Sequence, residues 1–341
     1  MCGIAGFVND MPIDVKCPVL QRMTDMIAHR GPDSEGHYID EHAALGHRRL
    51  SIIDLGGGQQ PIYNEDGSKV ITFNGEIYNY QTLREELIAA GHTFTTKSDT
   101  EVLLHGYEQW GVDLLQRVRG MFTFVIWDKN KQELFGARDH FGIKPFYYAK
   151  MNGTFMYASE IKSLLRHPDF VKELNAEALK PYMTFQYPAI GETFFKGVYK
   201  LPEGHYFTYR DGKMDIHRYY DEDFREGKQK LGELVNSIDQ TVCDSVKAHQ
   251  IADVEVGSFL SSGVDSSYVA AVARPQHTYS IGFGKGTYNE SQQAGELAEL
   301  LKLNNTAESL TDEEAFAAFP RIQWHLDEPD SNPSCVPLYF L

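Results

Sequence analysis

The sequence predicts two domains of different class. The first is an α+β domain of antiparallel sheets with packed helices, and the second an α/β domain with a parallel sheet. Three observations carry this. The chain has 341 residues, two domains' worth at roughly 150 residues each. Its first part is rich in short strands joined by hairpin signals. Its last part alternates strand and helix in the order that builds parallel sheets through crossover helices.

Cys2 to Val8 reads as a strand, as do Ala44 to Ile53, Val70 to Asn74, Met121 to Trp127 and Glu133 to Arg138. The polar turn Asp128 to Lys131 makes the last two a hairpin. Phe146 to Ala149 and Phe155 to Tyr157 flank Asn152-Gly153, the strongest short hairpin signal. Leu83, Leu87 and Ile88 lie at helical spacing, and Gly91 ends that run. Ser98-x-x-Glu101 reads as a capping box ahead of a helix that Gly111 stops. Hairpins outnumber crossovers throughout, hence antiparallel sheets.

The charged, aperiodic stretch YDEDFREGKQK, near Tyr220 to Lys230, marks the linker. The expected division is therefore 2–210 for the first domain, 211–230 for the linker and 231–341 for the second. Beyond the linker, Leu231 to Gln250 is predicted helical, Val254 to Leu260 a strand, and Tyr268 to Ala273 a helix. His277 to Phe283 follows as a strand, Glu290 to Leu301 as a helix, and Thr306 to Ser309 as a short strand. Thr311-x-x-Glu314 caps a last helix running to about His325. About three strands are few for a doubly wound sheet, and the apolar CVPLYFL carries no stop signal. The second domain is therefore expected to be truncated at its C-terminus.

The formal charge of −16 disfavours nonspecific binding to nucleic acid or anionic lipid. The longest apolar stretch, Met121 to Trp127, is far below the roughly 20 residues of a membrane helix. The first ten residues lack the basic and apolar regions of a secretory signal. Four cysteines without a C-x-x-C pair are too few for a disulfide framework. A cytoplasmic protein is expected, with no nucleic-acid or membrane partner.

Cys2 is the candidate nucleophile. Removal of Met1 would place an α-amine, of unperturbed pKa roughly 7.7–8.0, beside the thiol on one residue. The plainer reading of a lone Met-Cys start is a buried strand cysteine. Acyl transfer also needs donors for a tetrahedral oxyanion, and Asn74-Gly75 at a strand end offers an amide and a bare N–H. Arg49 has the planar fork that clamps a carboxylate. Asp99 is suited to an ammonium, although the first turn of a helix favours it for the dipole alone.

Six segments then occur in one order: MCGIAGF, HRGPDSEG, RRLSIID, FNGEIYN, SDTE and ARDHFGIKPFYY. Together they resemble the glutaminase domain of class II glutamine amidotransferases, and most of all the asparagine synthetase family. The resemblance implies a four-layer αββα N-terminal-nucleophile hydrolase fold. It implies Cys2 as nucleophile and Asn74 and Gly75 as the oxyanion hole. Arg49 and Asp99 would hold glutamine's α-carboxylate and α-amine, and Leu50, Ser51, Ile52, Ile53 and Glu76 would complete the pocket. Arg138, Asp139, Lys144 and Pro145 are expected to shape a domain interface.

In the second domain, SFLSSGVDSS puts Ser261-Ser262-Gly263 between a strand ending at Leu260 and a helix beginning near Asp265. Backbone N–H groups at such a place attract phosphate, and Asp265 is placed for a phosphate-bound Mg²⁺. A generic βα turn with a capped helix explains the same residues equally well. The segment resembles the S-G-G-x-D-S loop of ATP pyrophosphatases, with Ser262 in place of the second residue, a Gly. Leu260, Ser261, Gly263, Asp265, Ser266 and Ile281 are thereby implied as ATP contacts in a Rossmann-like fold. The family's later S-G-E-G-[SA]-D-E motif does not occur. The reaction implied is glutamine-dependent asparagine synthesis from aspartate and ATP through a β-aspartyl-AMP intermediate, by a homodimer. The alternatives are an amidotransferase for another carboxylate, or a short regulatory module without ligase activity.

Overall fold

The structure, a computed structural model, describes residues 1–283 and 290–341. It divides into two compact units, Met1–Asp223 and Phe224–Leu341.

Along the first unit the elements are β1 (Gly3–Val8), α1 (Ile13–Asp25), β2 (Ser34–Ile39), β3 (Ala43–Arg49), β4 (Ile62–Tyr63), β5 (Lys69–Ile77), α2 (Tyr80–Ala89) and α3 (Asp99–Trp110). They continue with β6 (Gly120–Asp128), β7 (Glu133–Arg138), β8 (Tyr147–Met151), β9 (Thr154–Ala158), α4 (Ile161–Leu164), α5 (Leu179–Phe185), β10 (Val198–Lys200), β11 (His205–Arg210) and β12 (Lys213–Arg218). Two six-stranded sheets result, ordered β10-β8-β9-β1-β3-β2 and β12-β11-β7-β6-β5-β4. Every strand pairing in both is antiparallel.

Alternation along the strands creates the layers. On β5, Val70 points into the core between the sheets, with Ile4, Leu45, Trp127 and Phe207. Ile71 and Phe73 point the other way and pack with Leu83, Leu87, Leu103 and Leu104 of α2 and α3. On β1, Ala5 and Phe7 face Val19, Leu20 and Met23 of α1. The order is helices, sheet, sheet, helices, the αββα arrangement of N-terminal-nucleophile hydrolases.

Local chemistry explains most boundaries. Asn152 and Gly153 both take positive φ, 50° and 85°, closing the β8–β9 hairpin as an Asn-Gly turn does. Gly111, at φ 59°, ends α3. Ser98 caps α3 through Thr100 N–H, but Glu101 does not complete the expected capping box. Its carboxylate instead takes the N–H and hydroxyl groups of Thr95 and Thr96. Ile88 is exposed rather than packed. The expected strand Ala44 to Ile53 stops at Arg49, where the chain leaves the sheet. The expected linker 211–230 is shortened: 213–218 form β12, the outer partner of β11, because an Asp211-Gly212 turn joins them.

The second unit contains α6 (Leu231–Ala248), β13 (Ser258–Phe259), α7 (Val264–Ala273), β14 (His277–Phe283), α8 (Glu290–Leu301), β15 (Asn304–Leu310), α9 (Asp312–Leu326) and α10 (Cys335–Phe340). Its sheet is parallel, ordered β13-β14-β15. The expected strand Val254 to Leu260 contracts to two residues. A small core of Leu260, Ala270, Ala294 and Ala298 lies beneath α7 and α8. Thr311 and Glu314 form the expected reciprocal capping box.

Candidate active site

The first site sits at one end of the two-sheet sandwich, and strand periodicity puts it there. Leu45, His47 and Arg49 share one face of β3, and Val70, Thr72 and Asn74 share one face of β5. Cys2 precedes β1 on the same face as Ile4. Since Leu45, Val70 and Ile4 all belong to the inter-sheet core, the polar ends of all three rows converge. The resulting pocket is lined by Cys2, Arg49, Leu50, Ile52, Ile53, Asn74, Gly75, Glu76 and Asp99. Met1 is also among its walls, and only about 30 Å³ is open. Ser51 is not among the lining residues; its backbone N–H is turned to Asp33 at 2.8 Å.

The Cys2 thiol lies 3.4 Å from Leu50 N–H and 3.5 Å from Leu50 O. Burial pushes the thiol pKa up, only partly offset by the Leu50 N–H, the N-terminal ammonium and Arg49. Burial also lowers the pKa of the Met1 α-amine, the N-terminal group of this chain. Asn74 is 1% exposed, and neither its Oδ1 nor its Nδ2 has a hydrogen-bond partner among the described residues. An unpaired buried carboxamide costs roughly 1–3 kcal/mol, which a ligand oxygen would relieve. Gly75 is required sterically: a Cβ there would lie 2.2 Å from Met121 O and 2.7 Å from Phe122 Cα.

Arg49 is 5% exposed. Its Nη2 donates to Ile53 O (3.1 Å) and Asp54 O (2.7 Å), and its Nη1 to Leu55 O (3.4 Å). These carbonyls account for three of five guanidinium N–H groups and fix the plane of the fork. Gly58 permits this, because a Cβ there would stand 2.7 Å from Nη2. Asp99 accepts from Ile77 N–H at 2.9 Å. Burial raises its carboxyl from 3.8 to about 7, with the Glu76 charge adding and the Ile77 and Ser98 hydrogen bonds opposing.

Several residues here escaped the sequence reading. Gln60 is buried, accepts from Phe73 N–H at 2.6 Å and donates to Phe73 O at 3.2 Å. It replaces a neighbouring strand beside β5, where β4 has already ended. His47 Nε2–H donates to the same carbonyl at 2.9 Å; burial lowers this imidazole to about 3, so it is neutral. Lys144 lines the pocket, and its ammonium contacts the Met1 sulfur. Of Arg138, Asp139, Lys144 and Pro145, expected at a domain interface, the first three have a local role within the first unit. Arg138 donates to the carbonyls of Lys144, Leu201 and Gly142, and Asp139 accepts from the N–H groups of Ile143 and Lys144. Together they hold the loop that presents Lys144.

In the second unit, Gly263 caps α7, and Asp265 stands in its first turn. Ser261 Oγ and Ser266 Oγ are 2.8 Å apart, and Gly263 N–H donates to Ser261 Oγ at 3.2 Å. A cavity of about 490 Å³ is lined by Leu260, Ser261, Ser266 and Ile281, with Phe283 and Pro337 on its apolar side. Gly263 and Asp265 are not among its lining residues. Asp265 is exposed, and its side chain makes no hydrogen bond or ion pair with the other described residues.

Residues 1–220 match the glutamine amidotransferase domain family, and residues 237–341 the asparagine synthase family. The chain belongs to the glutamine-hydrolysing asparagine synthetase family. Asparagine synthetase (glutamine-hydrolyzing) 1 of Bacillus subtilis (strain 168) is 43% identical over 349 residues, covering 100% of this chain and 55% of that protein. Asparagine synthetase (glutamine-hydrolyzing) 3 of the same organism is 36% identical over 83% of this chain and 48% of its own length. Amidase chry2 of Gibberella zeae is 31% identical over 96% of this chain and 54% of its own. The chain spans about half the length of the curated relatives it matches. Within this synthetase family chain, the amidotransferase match ends at residue 220, inside the first compact unit, and the synthase match begins within α6. No helix among the described residues is long and apolar enough to cross a membrane.

Proposed function

We propose that the first unit hydrolyses glutamine at Cys2, and that the ammonia serves asparagine synthesis from aspartate and ATP through β-aspartyl-AMP. The observation that carries the first half is the pocket itself: a thiol, an unpartnered buried carboxamide, a fixed guanidinium and a buried carboxylate line one cavity. With Met1 removed, the Cys2 α-amine takes the thiol proton and Sγ attacks the side-chain carbonyl carbon of glutamine. Asn74 Nδ2–H and Gly75 N–H stabilise the oxyanion. Collapse expels ammonia, protonated on leaving by the same amine, and forms a thioester that water hydrolyses to glutamate. Arg49 holds the α-carboxylate, Asp99 the α-ammonium, and Leu50, Ile52, Ile53 and Glu76 shape the rest of the pocket.

The synthetase half is supported by the asparagine synthase match and by the names of the relatives. Leu260, Ser261, Gly263, Ser266 and Ile281 bind ATP in this reading. Asp265 would hold a Mg²⁺ that neutralises phosphate charge. The working form is a cytoplasmic homodimer. Glutamate release from glutamine by the chain, lost in Cys2→Ala, tests the first half. Product analysis with aspartate, ATP and glutamine tests the second. An amide of some other carboxylate would instead favour an amidotransferase acting on another acceptor.

A further inference from the structure

On the outer helical layer of the first unit, away from the pocket, four side chains turn their ligand atoms toward one another. Glu65 lies in the β4–β5 turn, His92 follows α2, and His105 and Glu108 lie one turn apart on α3. Their ligand atoms all fall within 4.8 Å of one another. We propose that Glu65, His92, His105 and Glu108 form a binding site for a divalent metal of the zinc type.

The spacing fits such an ion. His105 Nδ1 is 3.1 Å from Glu108 Oε2 and 3.4 Å from Glu65 Oε2, and His92 Nδ1 is 3.3 Å from Glu65 Oε1. A tetrahedron with zinc–ligand bonds of roughly 2.1 Å has edges of about 3.4 Å. Two imidazoles with two carboxylates are a ligand set that suits zinc.

The surroundings fit as well. Metal-bound imidazoles turn their other nitrogen to an oxygen, which sets the tautomer. His92 Nε2 lies 3.2 Å from Gln109 Oε1. His105 is 1% exposed in its side chain, and its Nε2 faces the equally buried Glu101 carboxylate at 3.5 Å without a hydrogen bond. Both Nδ1 atoms thus face inward, toward the carboxylates. Those carboxylates are held in turn: Glu108 Oε1 accepts from Asn64 Nδ2 at 2.6 Å, and Glu65 Oε1 from Thr93 N–H at 3.0 Å. The competing arrangement is a metal-free ion cluster around a protonated His105. Burial opposes that protonation, but Glu101, Glu108 and Glu65 outweigh it, so zinc must displace a proton to bind.

The test uses the whole chain, stripped of metal and alkylated at its cysteines so that Cys2 cannot contribute a ligand. Zn²⁺ is titrated against a chromophoric chelator, and Co²⁺ is bound in parallel. One Zn²⁺ per chain is expected, with a tetrahedral Co²⁺ d–d spectrum lacking a thiolate charge-transfer band. The surface variant Gln109→Ala removes an outer partner and should weaken Zn²⁺ roughly 10- to 100-fold; His92→Ala should weaken it further. Glutaminase activity, measured before alkylation, should be unchanged in both and reports that they fold. No Zn²⁺ uptake, or equal uptake by parent and His92→Ala, would leave only the ion cluster and overturn the proposal.

Discussion

Asp99 sits in the ligand-free pocket with a carboxyl that burial has raised from 3.8 to about 7. The folded state therefore binds this proton more tightly than the unfolded chain does. Its stabilising contribution is fully present below about pH 4 and is lost as pH rises through 7. A shift of about 3 units at 1.36 kcal/mol each places the loss near 4 kcal/mol. Asp99→Asn stays neutral and keeps an oxygen for Ile77 N–H. It should match the parent near pH 4 and exceed its stability by up to about 4 kcal/mol at pH 8. Urea unfolding of both proteins across pH 4–8, without ligand, reads the difference directly. Glutamine's ammonium should re-ionise the group, so binding near pH 6–7 releases protons in the parent but not in the variant. Calorimetry in two buffers of different ionisation enthalpy measures this. Loss of a charged hydrogen bond of roughly 1.5–3 kcal/mol should also lower kcat/KM about 10- to 150-fold. Identical pH slopes for parent and Asp99→Asn would refute the raised carboxyl, and equal proton release on glutamine binding would refute its role in holding the ammonium.

Other parts of the pocket give sharper single outcomes. Gly75→Ala forces a Cβ against Met121 O and Phe122 Cα; it should cost about 1–3 kcal/mol by overpacking and abolish glutamate release, measured by denaturant melting and a coupled assay. Gln60→Leu leaves Phe73 N–H without its side-chain acceptor and should cost about 1–3 kcal/mol, with a fall in kcat larger than any change in KM. A chain that retains Met1 should release no glutamate, because Met1 lines the pocket and the free amine is one residue misplaced. A glutamine-analogue electrophile should label only the Cys2 peptide, and mass spectrometry locating the label elsewhere would remove Cys2 as nucleophile.

What could be read in the sequence followed from periodicity and turn chemistry. The hairpin at Asn152-Gly153, the stop at Gly111 and the crossover order after residue 230 are local signals, and each appears in the structure. The Ser98-x-x-Glu101 cue was half informative. It marked the start of α3, but a carboxylate bonds with whatever donors reach it first, and Thr95 and Thr96 are nearer in the fold than the Ser98 N–H. Gln60, His47 and Lys144 had no local signature. A glutamine that substitutes for a strand can be recognised only once β4 is known to be short. Lys144 stood within a recognisable segment, yet nothing in that segment distinguishes a pocket wall from a domain interface. Ser261 and Gly263 were legible as a turn; that their hydroxyl and N–H bond to each other depends on the turn's three-dimensional closure.

The pocket's electrostatics follow from one condition. Burial acts on four ionisable groups at this end of the sandwich in the direction of neutrality: the Cys2 thiol pKa rises, the Met1 amine falls, Asp99 rises and His47 falls. Arg49 stays a cation, and three backbone carbonyls surround it. A zwitterion entering this pocket meets a fixed cation at one end and a carboxyl that ionises on contact at the other. An uncharged amide of the same size would meet Arg49 without a counter-charge and leave Asp99 protonated. In the proposed reading, discrimination for an α-amino acid resides in the pair Arg49 and Asp99, whereas Cys2, Asn74 and Gly75 act on any amide carbonyl held between them. Swapping the pair's charges should exchange the preferred substrate without moving the nucleophile, which competition between glutamine and its des-amino and decarboxylated analogues would measure.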